Sequence, residues 1–261
     1  MNVFRSAHTI DRYFPESSAT DLDINPDGTS NSGKAGKSVR LHERVALTPV
    51  NEIEKETFLR VYSGDQLYNH PDTISPLDGA ELFGDDTAVH WDYGCGRGEY
   101  IIDLASRNPD KKYVGVDLHY RSLLLGVRAA ANAQLNNVRF IRADAKLLSP
   151  FIPDQSSDSA SVLFPAPLPS KHGAFHGMPD PQLASNIHRT LEAKNAPFEF
   201  ASDSEPYFRF RMRELGFQGL FNCDLSEISA GLGETTTPTR YQRVWESKGI
   251  KTHRAILRKK D

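Results

Sequence analysis

Before residue 87 the apolar positions follow no steady period; from there on, short apolar runs and amphipathic stretches take turns. Ala88–Tyr93 reads as a strand, followed by a glycine turn and a helix over Glu99–Ser106. Tyr113–Asp117 reads as a second strand. Arg121–Gln134 reads as a helix, because Leu123, Leu124, Val127 and Ala131 fall on one face. Val138–Ile141 and Ser159–Phe164 are a third and a fourth strand. A helix over 180–192, a fifth strand at Phe198–Ala201 and a helix over 204–215 follow, then the apolar stretch Phe217–Phe221 and a final strand near Arg254–Leu257. This alternation predicts an α/β fold: a doubly wound, mostly parallel sheet with helices on both faces. Such sheets take ligands in the crevice beyond the carboxyl ends of their strands.

The first part of the chain reads differently. Residues 15–38 are rich in Ser, Asp, Gly and Pro and have little to bury, so 1–38 is predicted as a flexible segment. Gly33-Lys34-Ala35-Gly36-Lys37-Ser38 imitates a phosphate loop, but the glycine required five residues before Gly36 is Asn31. Residues 39–85 are predicted as an N-terminal extension, placed to act as a lid, with a helix over Asn51–Leu59 capped by Asn51. Residues 86–261 form the main domain.

Composition narrows the function classes. The 261 residues are 38% hydrophobic and 25% charged, as suits a globular protein without a run of 18 apolar residues. The N-terminus lacks the apolar core of a secretory signal, so a cytoplasmic protein is expected. A net charge of −3 shows no general excess of Lys and Arg, which weighs against a dedicated nucleic-acid binder. The two cysteines, Cys95 and Cys223, match no disulfide or zinc spacing, and no metal is expected.

The sharpest motif is Asp92-Tyr93-Gly94-Cys95-Gly96-Arg97-Gly98-Glu99, between the first strand and the first helix. A dinucleotide fingerprint needs its third glycine where Glu99 stands. The spacing of Gly94, Gly96 and Gly98 resembles instead the S-adenosylmethionine (SAM) loop of class I methyltransferases. The acids that follow strengthen the likeness. Asp117 ends the second strand, 21 residues after Gly96, where a carboxylate accepts both hydroxyls of a ribose. Asp144 lies just past the third strand, where this class places an acid near the adenine amino group, and Asp92 falls near the methionine ammonium. Three carboxylates at successive strand ends suit a cationic ligand and repel a pyrophosphate. Leu118, Ala145 and Phe164 complete the expected cofactor set, and SAM is the expected cofactor.

The loop after the fourth strand, Phe164-Pro165-Ala166-Pro167-Leu168-Pro169-Ser170-Lys171, is stiffened by prolines and is the expected home of the methyl acceptor. From about residue 88 onward the chain resembles the bacterial tRNA (guanine-N7)-methyltransferase family. The glycine loop, Val114–His119, Asp144-Ala145, Leu163-Phe164-Pro165, Ser202-Asp203 and Thr239-Arg240-Tyr241-Gln242 come in the family order. The resemblance implies a Rossmann-like class I methyltransferase. The departures are concentrated at the acceptor. Ala166, Leu168 and Ser170 stand where the family loop has Asp, Trp and Lys, and Gln242 where its Thr-x-x-Glu ends in the acid expected to hold guanine. The family's basic cluster has become His172–Gly177.

These losses suggest a rebuilt acceptor site: an N-methyltransferase acting on a small nitrogen heterocycle, with a small molecule preferred to tRNA as partner. The predicted substrate-binding set is Pro165, Ala166, Leu168, Ser170, Asp203, Thr239, Tyr241 and Gln242. If a general base is needed, His172, His176 and Asp203 are the candidates. Two other readings stand beside this one: a divergent tRNA (guanine-N7)-methyltransferase, and a SAM-binding partner subunit without catalysis. Tyr207–Arg213, which interleaves aromatic and basic residues, reads as an ordinary amphipathic helix.

Overall fold

The structure is a computed structural model that describes residues 50–169, 175–217, 219–222, 228–230 and 237–260. The expected flexible segment 1–38, the Gly33–Ser38 stretch, Ser170, His172 and Cys223 lie outside the described residues.

Helix α1, Glu52–Phe58, begins as its sequence dictates. The Asn51 side chain accepts the Glu54 N–H at 2.7 Å, and the Glu54 carboxylate accepts the Asn51 N–H at 3.0 Å. The chain passes without a break into strand β1, Leu59–Val61, then through the short helices α2, Gly64–Asn69, and α3, Gly79–Phe83. The regular alternation follows: β2 Val89–Tyr93, α4 Glu99–Arg107, β3 Lys112–Asp117, α5 Tyr120–Asn132, β4 Val138–Arg142, α6 Ala145–Leu148 and β5 Ser159–Leu163. A two-stranded ribbon, β6 Leu168–Pro169 with β7 Phe175–His176, comes next. After it come α7 Pro181–Thr190, β8 Pro197–Ser202, α8 Glu205–Phe217, β9 Phe221–Asn222, β10 Ile228–Ala230, α9 Arg240–Ser247 and β11 His253–Lys259.

Among the described residues nine strands form one sheet in the order β1-β4-β3-β2-β5-β8-β11-β10, with β9 also on β11. The run from β1 to β8 is parallel, and β11 closes it antiparallel to β8. This is the doubly wound α/β sheet that the alternation predicts. Strand order reverses between β2 and β5, which opens a crevice at the ends of those strands. Both faces are covered. Trp91, Val114, Ile141, Val162 and Phe200 pack on one side, and Tyr113, Ile101, Leu123, Val127 and Phe140 on the other. Leu123 and Val127 are fully buried as the helical period requires, and Leu124 and Ala131 flank them half-buried.

The described part of the extension does not stand apart from the sheet. β1 pairs in parallel with β4, and Arg128 of α5 lies 3.7 Å from Glu54 of α1. Residues 50–85 therefore pack along the edge of the sheet as part of the same body. Among the described residues no helix is long and apolar enough to cross a membrane.

Candidate active site

The turn after β2 can only be made by residues that tolerate left-handed backbone. Gly94, Gly96 and Gly98 have φ of 80°, 59° and 72°. The turn is fastened to the neighbouring strand, for the N–H groups of Gly94 and Cys95 both donate to the Val116 carbonyl, at 2.8 and 3.1 Å. It also passes close under the far wall, where a Cβ on Gly94 would lie 2.9 Å from Met178 Cε.

The three predicted acids converge on one cleft of about 620 Å³ beside this turn. Asp117 accepts the Gly96 N–H at 2.9 Å through one oxygen and the His119 N–H at 2.7 Å through the other. Asp144 caps α6 and accepts the Lys146 and Leu147 N–H groups at 2.8 and 3.4 Å. Asp92 is only 2% exposed and accepts a hydrogen bond from the Ser161 hydroxyl at 2.7 Å. Burial pushes its carboxyl up to about 7, the charges of Glu199 and Asp117 add to this, and Ser161 and Arg254 oppose it. Leu118, Ala145 and Phe164 line the same cleft with Gly94 and Gly96, so the expected cofactor set is brought together except for Gly98, which does not line it.

The other end of the cleft is lined by Pro165, Ala166, Leu168, Gly177, Met178, Thr239 and Tyr241. Phe164 enters this loop with φ of 55°, a conformation that a side chain larger than glycine adopts at a cost. The alternating prolines are not a free rim: β6 is zipped to β7, with Leu168 opposite His176. α8 clamps the ribbon from behind. Tyr207 donates its hydroxyl to the Met178 carbonyl at 2.6 Å, and buried Arg211 donates to the Phe175 and Gly177 carbonyls, both at 3.0 Å. The Tyr207–Arg213 stretch is amphipathic as read, with Arg209 and Arg213 exposed, but its middle arginine faces inward as an anchor.

Several predicted residues fall elsewhere. Gln242 is fully buried and outside the cleft lining. It stands one turn into α9, where its N–H donates to the capping Thr239 hydroxyl at 3.1 Å and its amide donates to Glu246 at 3.3 Å. His176 is exposed and does not line the cleft. Asp203 is not a lining residue either. Its half-buried carboxyl is pushed up by burial, and it is close enough to Tyr241 for its charge to help burial raise that phenol. No described residue of the N-terminal extension lines the cleft.

The sequence reading missed other lining residues: Cys95, Arg97, Glu99, Tyr100, Met178 and Arg240. Glu99 sits at the start of α4, its carboxyl raised by burial and held back by Arg97, Arg240 and Arg243. Three guanidiniums thus gather near the cleft mouth, which a whole-chain charge of −3 conceals.

The residues fit a sulfonium nucleoside. The glycine turn leaves room for backbone contact, and acids face the cleft at three strand ends beside the apolar surfaces of Leu118 and Phe164.

Comparison with known proteins agrees. A family model described as "Putative methyltransferase" matches residues 86–255. A tRNA (guanine-N(7)-)-methyltransferase of Rubrobacter xylanophilus is 28% identical over 214 residues, which is 82% of this chain and 96% of that protein. One from Chloroflexus aggregans is 30% identical over 194 residues, covering 74% of this chain and 84% of the relative. Among solved structures, the 16S rRNA methyltransferase KamB superposes with a TM-score of 0.51 at 16% identity, over 69% of this chain and 92% of its own, a likeness of fold.

These relatives overturn the expectation of a small-molecule acceptor preferred to tRNA, because they are tRNA enzymes matched over most of their length. The physical error is visible too. The Gln242 substitution was read as a lost guanine contact, yet its side chain points into the protein.

Proposed function

The chain belongs to the putative-methyltransferase family as a divergent relative of the tRNA (guanine-N7)-methyltransferases and is a SAM-dependent methyltransferase, and we propose that its acceptor is N7 of a guanine in tRNA. The observation that supports this most is the near end-to-end match to the Rubrobacter tRNA enzyme, 96% of that protein's length. When bound, SAM supplies an electrophilic methyl that the N7 lone pair takes in one displacement, the positive charge passing from sulfur to the base.

In this reading Asp117 holds the ribose hydroxyls, Asp144 receives the adenine amino group, and Asp92 faces the ammonium. N7 carries a free lone pair, so no general base is required, which suits a cleft that neither His176 nor Asp203 lines. The protein's task at the acceptor end is positioning. Tyr241, 43% exposed at the mouth, stacks on the guanine. Arg97 and Arg240 at the mouth meet the phosphate backbone.

The test is incubation with methyl-labelled SAM and tRNA transcripts, followed by digestion to nucleosides. The expected product is labelled 7-methylguanosine. Label absent from tRNA, with SAM bound and the transcripts intact, would refute the proposal.

A further inference from the structure

Behind Asp92 runs a line of buried polar side chains for which the cofactor reading gives no use. β2 and β5 pair so that His90 stands opposite Ser159 and Asp92 opposite Ser161. Alternate residues of a strand share a face, so all four project to the same side of the sheet, where Tyr100 of α4 lies 6.0 Å from His90, ring to ring. The contacts are continuous. Asp92 Oδ1 is 2.7 Å from Ser161 Oγ, and Ser161 Oγ is 3.0 Å from His90 Nε2. His90 Nδ1 is 2.8 Å from Ser159 Oγ, and Ser159 Oγ is 2.5 Å from Asp158 Oδ1. Asp92, His90 and Ser161 are buried, whereas Asp158 reaches the surface and pairs with Lys111 at 3.2 Å. The line runs along the two central strands β2 and β5, from the cleft to their amino ends.

A hydroxyl gives one hydrogen, and so does a neutral imidazole, so the line has a direction. With a proton on Asp92, the hydrogens point away from the cleft: Asp92 to Ser161, Ser161 to Nε2, Nδ1–H to Ser159, and Ser159 to Asp158. With Asp92 ionised they point towards it: Ser159 to Nδ1, Nε2–H to Ser161, and Ser161 to Asp92, while Asp158 keeps Lys111. Converting the first arrangement into the second moves one proton across each contact. One leaves Asp92, one departs to water from Asp158, and no bond between heavy atoms changes. The two arrangements differ in the tautomer of His90.

The surroundings make the direction depend on the ligand. Asp92 is faced by Asp117 from β3, Glu199 from β8, Arg254 from β11, Cys95 from the glycine turn and Tyr100 from α4. His90 is faced by Asp158, Lys111 and the rings of Tyr100 and Tyr113. Arg254 lies 2.7 Å from Glu199, so among these groups its charge is already matched, and Asp117 is a further negative one. A charge on Asp92 is therefore costly until a cation enters the cleft. Burial lowers His90 to about 4 and raises Asp92 to about 7, which keeps both neutral in the free protein at mildly acid pH.

We infer that this line is a proton wire: Asp92 discharges its proton through the sheet when a cationic nucleoside fills the cleft, and Ser161, His90 and Ser159 are positioning residues that set its charge. The inference rests on the reading of Asp92 as the partner of the ammonium.

The test is nitrogen-15 NMR of the His90 imidazole in the full chain at about pH 6.5, below the point where Asp92 titrates. The resonance is assigned with His90→Gln, and S-adenosylhomocysteine, which keeps the ammonium, serves as the probe. The free protein is expected to show the Nδ1–H tautomer, and the saturated protein the Nε2–H tautomer. Calorimetry in buffers of different ionisation enthalpy is expected to show proton release on binding. Ser161→Ala is expected to leave His90 unresponsive and to weaken the probe about tenfold, as loss of a hydrogen bond to a charge does. Ser161→Thr, which keeps the hydroxyl, is expected to restore both. One His90 tautomer with and without bound probe, while Asp92→Asn weakens the probe, overturns the wire and leaves the role of Asp92 standing. Unchanged affinity in Asp92→Asn overturns both.

Discussion

At the glycine-turn end of the cleft the chain fixes Asp117 and Asp144 with main-chain groups of the glycine turn and of their own loops, and only Asp92 leans on a distant side chain, Ser161, whereas at the acceptor end it assembles side chains from three distant stretches. Asp117 is tied to the Gly96 and His119 N–H groups, and Asp144 to those of Lys146 and Leu147. The acceptor wall brings Pro165–Leu168, Gly177–Met178 and Thr239–Tyr241 together, clamped by Tyr207 and Arg211 from behind. A site made by local backbone tolerates little substitution. A wall made of side chains can exchange Asp for Ala or Trp for Leu and still present a surface. The family's departures at Ala166 and Leu168 fall where the architecture permits them, and they need not signal a new acceptor.

The largest expected effect lies at the local end. Asp117→Ala removes the carboxylate proposed to hold the ribose and the tether of the glycine turn, and is expected to weaken S-adenosylhomocysteine about 100-fold by calorimetry, from two charge-assisted hydrogen bonds. The next is pH. If Asp92 is the proposed partner of the ammonium, only its ionised form attracts it; burial raises that carboxyl to about 7, so affinity is expected to hold above that pH. Below it, affinity falls about tenfold per unit as the proton returns, and Asp92→Asn gives a low, flat profile. An acid limb near 4 would mean that Asp92 is not the group.

Tyr241→Ala isolates the distant end. It is expected to lower kcat/KM for tRNA about tenfold through lost stacking while leaving S-adenosylhomocysteine affinity unchanged. Loss of cofactor affinity instead would show that the two ends are not separable. The smallest effect concerns the residue that looks most like a lost contact. Gln242→Glu restores the family's acid but sets a second carboxylate against Glu246, 3.3 Å from the present amide. It is expected to cost about 1 kcal/mol in thermal unfolding and to bring no gain in tRNA methylation.

The same contrast explains what was legible in the sequence. β2, the glycine turn, Asp117 and Asp144 follow from short-range spacing, and so does α1 with its Asn51 cap. β1 was hidden because Leu59 ends α1 and begins the strand with no breaker between them. α9 was hidden because Thr239–Gln242 reads as a motif, while its helical pitch is what turns Tyr241 outward and Gln242 inward. The basic residues at the mouth arrive from the glycine turn and α9, and a whole-chain charge cannot show such a meeting. Arg254 and Glu199 lie in strands, where charges suggest a solvated face, yet they pair beneath the cleft floor.

The most direct measurement compares two tRNA transcripts that differ only in carrying guanosine or 7-deazaguanosine, in which a C–H replaces N7. The account expects methyl transfer from labelled SAM to the first and none to the second. Equal transfer to both would contradict it, because the methyl would then be going to another atom.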